Sequence, residues 1–217
     1  MSRDITKLFW ADKMIADELV RRCAKKGLKI KITDCVRTKE EQNGIDASRT
    51  GVRYPYSYHN WGLAFDFCRN DGKGAYNESG DFFYKVGEEI VGLGLEWGGL
   101  WTNPVDKPHA QFDGLTDGQN RIVLMIKKYG VPEKFFNDSF FKCKTPKLDI
   151  TPKSSIKKIL WMQVRLTIHG IKTDMDGVWG TQTTKSLKKF WMAQTGKTCT
   201  GKRASISCIN MLAKDPE

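Results

Sequence analysis

The sequence predicts an α+β domain with a small antiparallel sheet and flanking helices, followed by a small all-α domain of three helices. Short alternating apolar stretches interleave with helical periodicity over residues 1–145, which favours the α+β class. A polar, proline-containing segment at 146–154 is typical of a linker. Residues 155–217 show helical patterns only, and three short helices make a minimal bundle.

The first domain should begin with a helix over residues 6–27, where Leu8, Ile15 and Leu19 recur at helical spacing. A half-buried strand is expected over 28–38, and the capping-box pattern T-K-E-E at Thr38 should open a second helix. Residues 47–62 read as a loop. The remaining predicted elements are a strand at 63–69, a helix at 79–94, the short segments LEWGGLW and HAQF, and a helix at 117–130.

The second domain should contain helices over 155–171, 181–196 and 203–215, with Thr181 as the N-cap of the middle one. The side chains expected in its core are Leu160, Leu166, Trp179, Leu187, Phe190, Trp191 and Leu212.

Composition excludes wholesale disorder and a membrane span. Of the 217 residues, 40% are hydrophobic and 11% aromatic, and no run of about 18 apolar residues occurs. The start, MSRDITKLFWADKMI, lacks the continuous apolar stretch of a signal peptide, so we expect synthesis in a cytoplasm. Six cysteines without a CxxC pair are then expected to be free thiols, although the spacing of Cys199 and Cys208 permits a bridge.

The net charge of +11 is uneven. Residues 151–217 hold 12 Lys and Arg against 4 Asp and Glu, a net charge of +8, whereas residues 1–150 carry +3. Nucleic acid, anionic lipid and the anionic bacterial cell wall all suit that sign. Because no nucleic-acid-binding signature accompanies the charge, and because no membrane span exists, we expect neither nucleic acid nor a membrane as partner.

Two of the three histidines lie in patterns that suit a metal site. His59 precedes a strand in which Asp66 lies on the face opposite Phe65 and Phe67, and His109 follows a proline-fixed turn. Two imidazoles and one carboxylate are a common ligand set of catalytic zinc, with a fourth position left for water. The spacing alone leaves an alternative open, in which the histidines lie in surface turns and Asp66 faces solvent.

Acidic and basic neighbours extend this pattern. Asp106, three residues before His109, is a candidate general base, and Arg37 is a candidate for stabilising an oxyanion. Cys68 shares the Asp66 face, but a buried free thiol is the simpler interpretation. His169 precedes a helix-ending glycine and reads as a helix-end residue.

The segment SYHNWGLAFDF, residues 57–67, resembles the S-x-H-x-x-G-x-A-x-D signature of zinc D-alanyl-D-alanine carboxypeptidases of the vancomycin-resistance type. It is even more similar to their phage relatives, the L-alanyl-D-glutamate endopeptidase endolysins. The similarity continues backward through RTKEEQ and Arg49-Thr50, and forward through LEWGGLW and DKPHAQF. It implies the D,D-peptidase or hedgehog-like fold of zinc peptidases for the first domain.

The resemblance also implies a role for individual residues. The implied zinc ligands are His59, Asp66 and His109. Asp106 would be the catalytic base, Arg37 would bind substrate or steady the transition state, and Ser57 would assist near the metal. The dipeptidase branch of the family carries Glu where this chain has Asp106, which favours the endopeptidase branch.

Three residues of the LEWGGLW segment are further candidates. Glu96 is a second candidate for the base, against the interpretation that it is a structural acid holding its loop. Trp97 and Trp101 are candidates for contacting substrate along a cleft, with packing as the alternative for at least one of them.

The C-terminal segment is similar to the peptidoglycan-binding three-helix module, on the run from IKKILWMQVRL to QTGKT. This implies binding through its D-G-V-W-G turn, with Asp176 and Trp179 as candidate contacts, although any tight turn uses such residues. Its positive charge suits teichoic acids, and a solvated charged face explains that charge equally well.

The sequence therefore predicts a phage-type endolysin. Its zinc peptidase domain would hydrolyse a peptide-stem amide of bacterial peptidoglycan, L-Ala–D-Glu, after release from the host cytoplasm. A D,D-carboxypeptidase that removes terminal D-Ala and a non-catalytic wall-binding protein are the alternatives.

Overall fold

The computed structural model describes residues 3–48, 50–114 and 120–216. It divides into two compact units, Met1–Lys142 and Cys143–Glu217. The first unit contains a four-stranded antiparallel sheet, and the second unit is helical in its described elements. The predicted α+β class of the first part is thereby confirmed. None of the helices in the described ranges is long and apolar enough to cross a membrane.

The described ranges of the first unit contain five α-helices, and those that were predicted agree with their sequence signals. They are α1 (Trp10–Lys25), α2 (Lys39–Asn43), α3 (Phe82–Gly92), α4 (Arg121–Tyr129) and α5 (Pro132–Asn137). The capping box of α2 is present, because Thr38 Oγ1 accepts from the amide of Glu41 and the Glu41 carboxylate accepts from the amide of Thr38. The sequence analysis did not predict α5, and residues 117–119 of the expected fourth helix lie outside the described ranges.

The strands are β1 (Ile30–Asp34), β2 (Ala64–Arg69), β3 (Glu96–Trp97) and β4 (His109–Gln111), in the order β1-β2-β4-β3. The side chains of Phe65 and Phe67 are fully buried, and the ring of Phe67 lies 5.6 Å from that of Phe83 on α3. Since side chains alternate along a strand, Asp66 points away from this core face. The sheet thus has one face covered by helices and one face that carries polar groups.

Trp97 fixes the end of the sheet to α3. Its ring is buried, and a Cβ built on Gly87 or Gly99 would lie 2.3 Å or 2.2 Å from indole carbons. Only glycine therefore fits on either side of the ring. The indole N–H donates to the Lys107 carbonyl (2.8 Å), which ties β3 to the turn before β4.

The second unit contains α6 (Ile156–Ile168), α7 (Thr181–Thr195) and α8 (Ile206–Leu212). Five of the seven expected core side chains are buried, whereas Trp179 and Trp191 are half-buried. Gly180, rather than Thr181, occupies the N-cap of α7. Within the predicted linker, the buried Ile150 exchanges two 2.9 Å backbone hydrogen bonds with Ala204 of the same unit.

Asp12 on α1 is the most unusual buried group of the first unit. Its side chain is inaccessible to solvent, and neither carboxylate oxygen has a hydrogen-bond partner among the described residues. Burial raises the pKa of Asp12 to about 8, although the nearby positive charge of Arg121 acts in the opposite direction. The native protein therefore retains a proton on Asp12 at a pH where the unfolded chain has released it.

This pKa predicts a pH dependence of stability. Because the folded pKa lies above the unfolded value, the contribution of Asp12 is most favourable below about pH 4 and is lost as the pH rises toward 8. We expect the free energy of unfolding of wild type to fall with pH more steeply than that of Asp12→Asn, by up to about 1.4 kcal/mol per pH unit. Denaturant unfolding at pH 5.0, 6.0 and 7.0 measures both slopes.

Asp17→Asn is the matched control, because Asp17 lies on the same helix but pairs with Lys13 at the surface. It should retain the wild-type slope. Equal slopes for wild type and Asp12→Asn would contradict the expectation.

Candidate metal centre

Two of the three candidate ligands come from neighbouring strands. Asp66 on β2 and His109 on β4 are Cα partners in the antiparallel register. Directly opposite residues point to the same face and lie close together, so a pairing 43 residues apart in sequence brings the two side chains into contact. The Nδ1 atom of His109 is 3.1 Å from Oδ1 of Asp66.

The third candidate ligand, His59, comes from a 3-10 turn (Tyr58–Trp61) just before β2. Gly62 ends that turn at φ 67°, a conformation that favours glycine, and turns the chain into β2. The ring of His59 is buried, and its Nδ1 lies 3.0 Å from the carbonyl oxygen of Cys35. Since a carbonyl only accepts, Nδ1 carries the hydrogen, and Nε2 presents a lone pair to the other two ligands.

The three donor atoms form a nearly equilateral triangle. Nε2 of His59 is 3.2 Å from Oδ1 of Asp66 and 3.2 Å from Nδ1 of His109, and the third side measures 3.1 Å. Tetrahedral zinc with ligand bonds near 2.0–2.1 Å has ligand-to-ligand distances of about 3.3 Å. The residues therefore fit a divalent metal in both donor type and spacing, and they are able to hold one.

Electrostatics within the triangle also suit a cation. Burial alone would raise the pKa of Asp66, but the imidazoles of His59 and His109 outweigh it and hold that pKa well below its usual range. Burial likewise acts to lower the pKa of His109, but the adjacent Asp66 carboxylate raises it overall. The carboxylate is thus ionised, and its negative charge attracts a cation to the point between the three donor atoms.

Arg37 contacts the outer oxygen of the same carboxylate. Its Nη2 donates to Oδ2 of Asp66 at 2.9 Å, while its Nε donates to Asp34. Oδ1 of Asp66 is left facing the two histidines. The predicted substrate-binding arginine therefore also fixes which oxygen of Asp66 faces the candidate metal position.

Asp106 lies in the turn that leads into β4 and lines the same cleft as the three candidate ligands. Its amide donates to the Gly98 carbonyl (2.9 Å), and its carbonyl accepts from the His109 amide (3.1 Å). Burial raises the pKa of its carboxyl group, and the negative charge of Asp66 acts in the same direction. Among the described residues, no side-chain or backbone donor engages its carboxylate, so the group is available to a substrate or to water.

The cleft has a volume of about 570 Å³, and the predicted residues Arg37, Ser57 and Trp101 line it together with Asp106. Ser57 is close to buried, and its amide lies 3.3 Å from Oδ1 of Asn60. Trp97 does not line the cleft, because its ring is buried against α3.

Glu96 is also held away from the cleft. Its two carboxylate oxygens accept from the Trp101 indole and from the Gln111 amide. This arrangement supports Asp106 over Glu96 as the candidate base.

Gln111 is a site residue that the sequence analysis did not predict. Its Oε1 lies 3.0 Å from Nε2 of His109, and its side chain is buried. The available signal was the H-x-Q spacing in a strand, since residues two apart share one face of a sheet.

The remaining candidate residues lie elsewhere. The Cys68 thiol is buried and contacts the Arg69 carbonyl, outside the ligand triangle. All six cysteines fall in the described ranges and are free thiols. In the second unit, His169 ends α6 with Nε2 at 3.1 Å from the Leu212 carbonyl.

The side chain of Gln163 forms hydrogen bonds to the D-G-V-W-G turn of the second unit. The buried Nε2 of Gln163 lies 2.8 Å from Oδ1 of Asp176 and 2.9 Å from the carbonyl of Val178. Trp179 is half-buried, and its indole donates to Thr184. Asp176 and Trp179 are thus turn-forming residues in the structure, and their predicted role in binding stays a prediction.

Comparison with known proteins agrees with the fold and the centre. The sequence profile of an M15 peptidase family, described as D-alanyl-D-alanine carboxypeptidase, matches residues 50–112, a range that includes all three candidate ligands. The L-alanyl-D-glutamate peptidase of Listeria phage A118 is 34% identical over 114 residues, which cover 51% of this chain and 40% of that protein. The peptidoglycan L-alanyl-D-glutamate endopeptidase CwlK of Bacillus subtilis (strain 168) is 34% identical over 117 residues, covering 46% of this chain and 70% of that protein.

The sheet and the ligand triangle agree with these matches to peptidases. The chain belongs to the M15 peptidase family. It spans less than half the length of the phage relative and about 70% of the bacterial one. The profile match ends at residue 112, and the wall-binding role expected for the second unit stays a prediction.

Gly98 gives a direct test of how the turn before β4 is supported. A Cβ at Gly98 would lie 2.4 Å from the Asp106 carbonyl oxygen and 3.2 Å from Cβ of His109. The backbone oxygen cannot move aside without shifting the turn, so we expect Gly98→Ala to lower the free energy of unfolding by about 1–3 kcal/mol. Denaturant unfolding measures the change.

Gly92→Ala is the control, since a Cβ at Gly92 meets no atom within 4 Å. Its free energy of unfolding should stay at or slightly above the wild-type value. A Gly98→Ala protein as stable as Gly92→Ala would show that the turn adjusts freely.

Proposed function

We propose that this chain is a phage-type endolysin, a zinc-dependent peptidase that hydrolyses the L-Ala–D-Glu bond in the peptide stems of bacterial peptidoglycan. The observation that carries the proposal is the triangle of His59, Asp66 and His109, with sides of 3.1–3.2 Å, at one wall of an open cleft. The relatives named for cleavage of that bond support the choice of substrate.

His59 Nε2, Asp66 Oδ1 and His109 Nδ1 would hold the zinc ion. When bound, zinc supplies a Lewis acid that polarises a carbonyl group and acidifies water. The carboxylate of Asp106, in the same cleft and free of hydrogen bonds from the described residues, accepts the proton of the attacking water. It then returns that proton to the leaving amine, which also takes the proton of the new carboxyl group, so that one amide and one water become a carboxylate and an ammonium group.

Arg37 has two tasks in this proposal. Through Nη2 and Nε it holds Asp66 and Asp34, which fixes the orientation of the Asp66 carboxylate. The N–H groups of Nη1 remain for the carbonyl oxygen of the substrate, where negative charge develops during attack. Ser57, also in the cleft, assists by offering its hydroxyl to the substrate backbone.

The second unit would concentrate the enzyme on the cell wall. Its sequence carries a net charge of +8 over residues 151–217, which favours contact with anionic wall polymers such as teichoic acids. Tethering a catalytic unit to a binding unit raises the local concentration of enzyme at its substrate. The protein would act on the wall after release from the host cytoplasm.

Identification of the bond that the protein cleaves separates the two candidate activities. The family profile is described as D-alanyl-D-alanine carboxypeptidase, so removal of terminal D-Ala is the second candidate function. We expect purified walls treated with the protein to gain new D-Glu amino termini and to lose turbidity, as measured by mass spectrometry and amino-terminal labelling. Release of free alanine without loss of turbidity would establish the carboxypeptidase instead.

Two substitutions separate metal binding from proton transfer. His59→Ala removes one ligand and should lose zinc, measured by elemental analysis of the purified protein. Asp106→Asn should keep one zinc per chain but lower kcat/KM on walls by about 10²–10⁴-fold, because it removes the proton acceptor. Chelation should abolish activity, and added zinc should restore it.

The matched controls are His169→Ala and Asp17→Asn, which alter the same residue types in the second unit and at an exposed position of α1. Both should keep zinc and activity. Full activity of Asp106→Asn would remove Asp106 from the mechanism. A zinc-loaded wild type that cuts no bond would favour a wall-binding protein without catalysis.

A further inference from the structure

A second polar pair lies next to the metal ligands on the same face of the sheet. Gln111 follows His109 by two positions on β4, and it is the Cα partner of Glu96 on β3. The β2–β4 register pairs Asp66 with His109, and the β3–β4 register pairs Gln111 with Glu96. Four side chains from three strands form one continuous row.

The hydrogen bonds along this row have a fixed direction. The amide nitrogen of Gln111 donates to Oε2 of Glu96 at 2.7 Å, because a carboxylate offers acceptors only. This orients the other end of the amide, Oε1, toward Nε2 of His109 at 3.0 Å. Since Oε1 can only accept, Nε2 of His109 must carry the hydrogen. The lone pair of the neutral ring is then on Nδ1, the atom that lies 3.1 Å from Asp66.

The second oxygen of Glu96 is also engaged. Oε1 accepts from the indole N–H of Trp101, whose ring lies 5.1 Å from the ring of His109. Two N–H donors from different segments thus fix the plane of a carboxylate whose residue is otherwise exposed. A residue that served only to hold its loop would not need to present an acceptor to the buried amide of Gln111.

We propose that Glu96 and Gln111 are positioning residues for the metal centre. Glu96 sets the orientation of the Gln111 amide. Gln111 in turn sets which ring nitrogen of His109 carries the hydrogen, so that Nδ1 offers its lone pair to the metal. This inference rests on the proposed function, because it assumes that His109 is a metal ligand. Both residues act through His109, and Asp106 remains the base.

The other histidine is oriented by different means. A backbone carbonyl, that of Cys35, accepts from Nδ1 of His59 and leaves Nε2 as the ligand atom. Opposite ring nitrogens of the two histidines therefore face the same point. Outer hydrogen bonds of this kind commonly change metal affinity by about 10–100-fold when they are removed.

The acceptor that faces Nε2 of His109 can be removed and then restored by substitution. In E96Q, one of the two acceptors is replaced by an N–H donor, which opposes the orientation of the Gln111 amide. In the double variant E96Q/Q111E, the introduced amide donates to the introduced carboxylate and still accepts from Trp101. The remaining carboxylate oxygen at position 111 again accepts from Nε2 of His109. The double variant thus restores the acceptor for His109, although the hydrogen bond between positions 96 and 111 now runs from 96 to 111.

Zinc affinity of the full chain, measured by competition with a chromogenic chelator, tests the effects of these substitutions. We expect E96Q to bind zinc about 10-fold or more weakly than wild type, and E96Q/Q111E to recover to within about 3-fold of it. Q111M, which removes the acceptor altogether, should bind as weakly as E96Q. E133Q is the matched control, because Glu133 accepts from the Tyr54 hydroxyl at the surface, and it should match wild type.

A second readout is independent of activity and of affinity. Long-range 1H–15N correlation spectra of the zinc-loaded wild type should show the His109 ring protonated at Nε2, and this signature should weaken in E96Q and return in the double variant. Circular dichroism confirms that each variant is folded.

Two affinity results would each overturn the positioning role while leaving the metal site intact. One is E96Q and Q111M binding zinc as tightly as wild type, and the other is a double variant weaker than E96Q. His109 protonated at Nδ1 in the zinc-loaded protein would also overturn it. A wild type that binds no zinc would overturn the proposed function together with this inference.

Discussion

The antiparallel register between β2 and β4 is the constraint on which the centre depends. It sets Asp66 opposite His109, and it sets Ala64 opposite Gln111. A slip of one residue would exchange the two faces of a strand and would turn Asp66 into the aromatic core beside Phe83. The hydrophobic pattern of β2 forbids that slip, because Phe65 and Phe67 would then lose their buried positions. Packing of apolar side chains on one face thus fixes the chemistry of the other face.

Desolvation gives the ligand triangle its electrostatic character. Oδ2 of Asp66 accepts from the Arg37 guanidinium at 2.9 Å, whereas Oδ1 faces two imidazole nitrogens within 3.2 Å. A buried carboxylate oxygen that faces two lone pairs is best stabilised by a cation between the three atoms. Arg37 compensates the negative charge of Asp66 at Oδ2, and Asp34 balances Arg37 in turn. The support extends to glycines, since Gly98 lets the Asp106 turn approach β3 and Gly62 directs the chain from His59 into β2.

Much of this site could be predicted from the sequence where the signal was local. The alternation of Phe65, Asp66 and Phe67 indicated the two faces of β2, and the capping box at Thr38 indicated where α2 begins. Both depend on residues that are neighbours in the chain. Contacts to the main chain leave no such signature, so the Cys35 carbonyl that orients His59 was not predictable.

Contacts between residues far apart in the sequence were also not predictable. Gln111 and Glu96 are 15 residues apart, and their hydrogen bond follows from the strand order β1-β2-β4-β3. The burial of Ile150 against Ala204 likewise needs a partner 54 residues away, which is why a polar, proline-containing stretch was interpreted as a linker. Short strands of two and three residues, such as β3 and β4, carry too little pattern to reveal their partners from sequence alone.

The orientations of His59 and His109 differ in how readily a substitution can change them. His59 is oriented by a backbone carbonyl within a turn, and no single side-chain replacement removes that acceptor. His109 is oriented by an amide whose direction depends on the charge of a neighbouring carboxylate, and both groups are side chains. A carboxylate at the end of such a row also strengthens donation from Nε2, which makes the opposite nitrogen more electron-rich. Metal affinity in this fold is therefore adjustable mainly from the β3–β4 side, while the His59 side provides a fixed reference for the geometry.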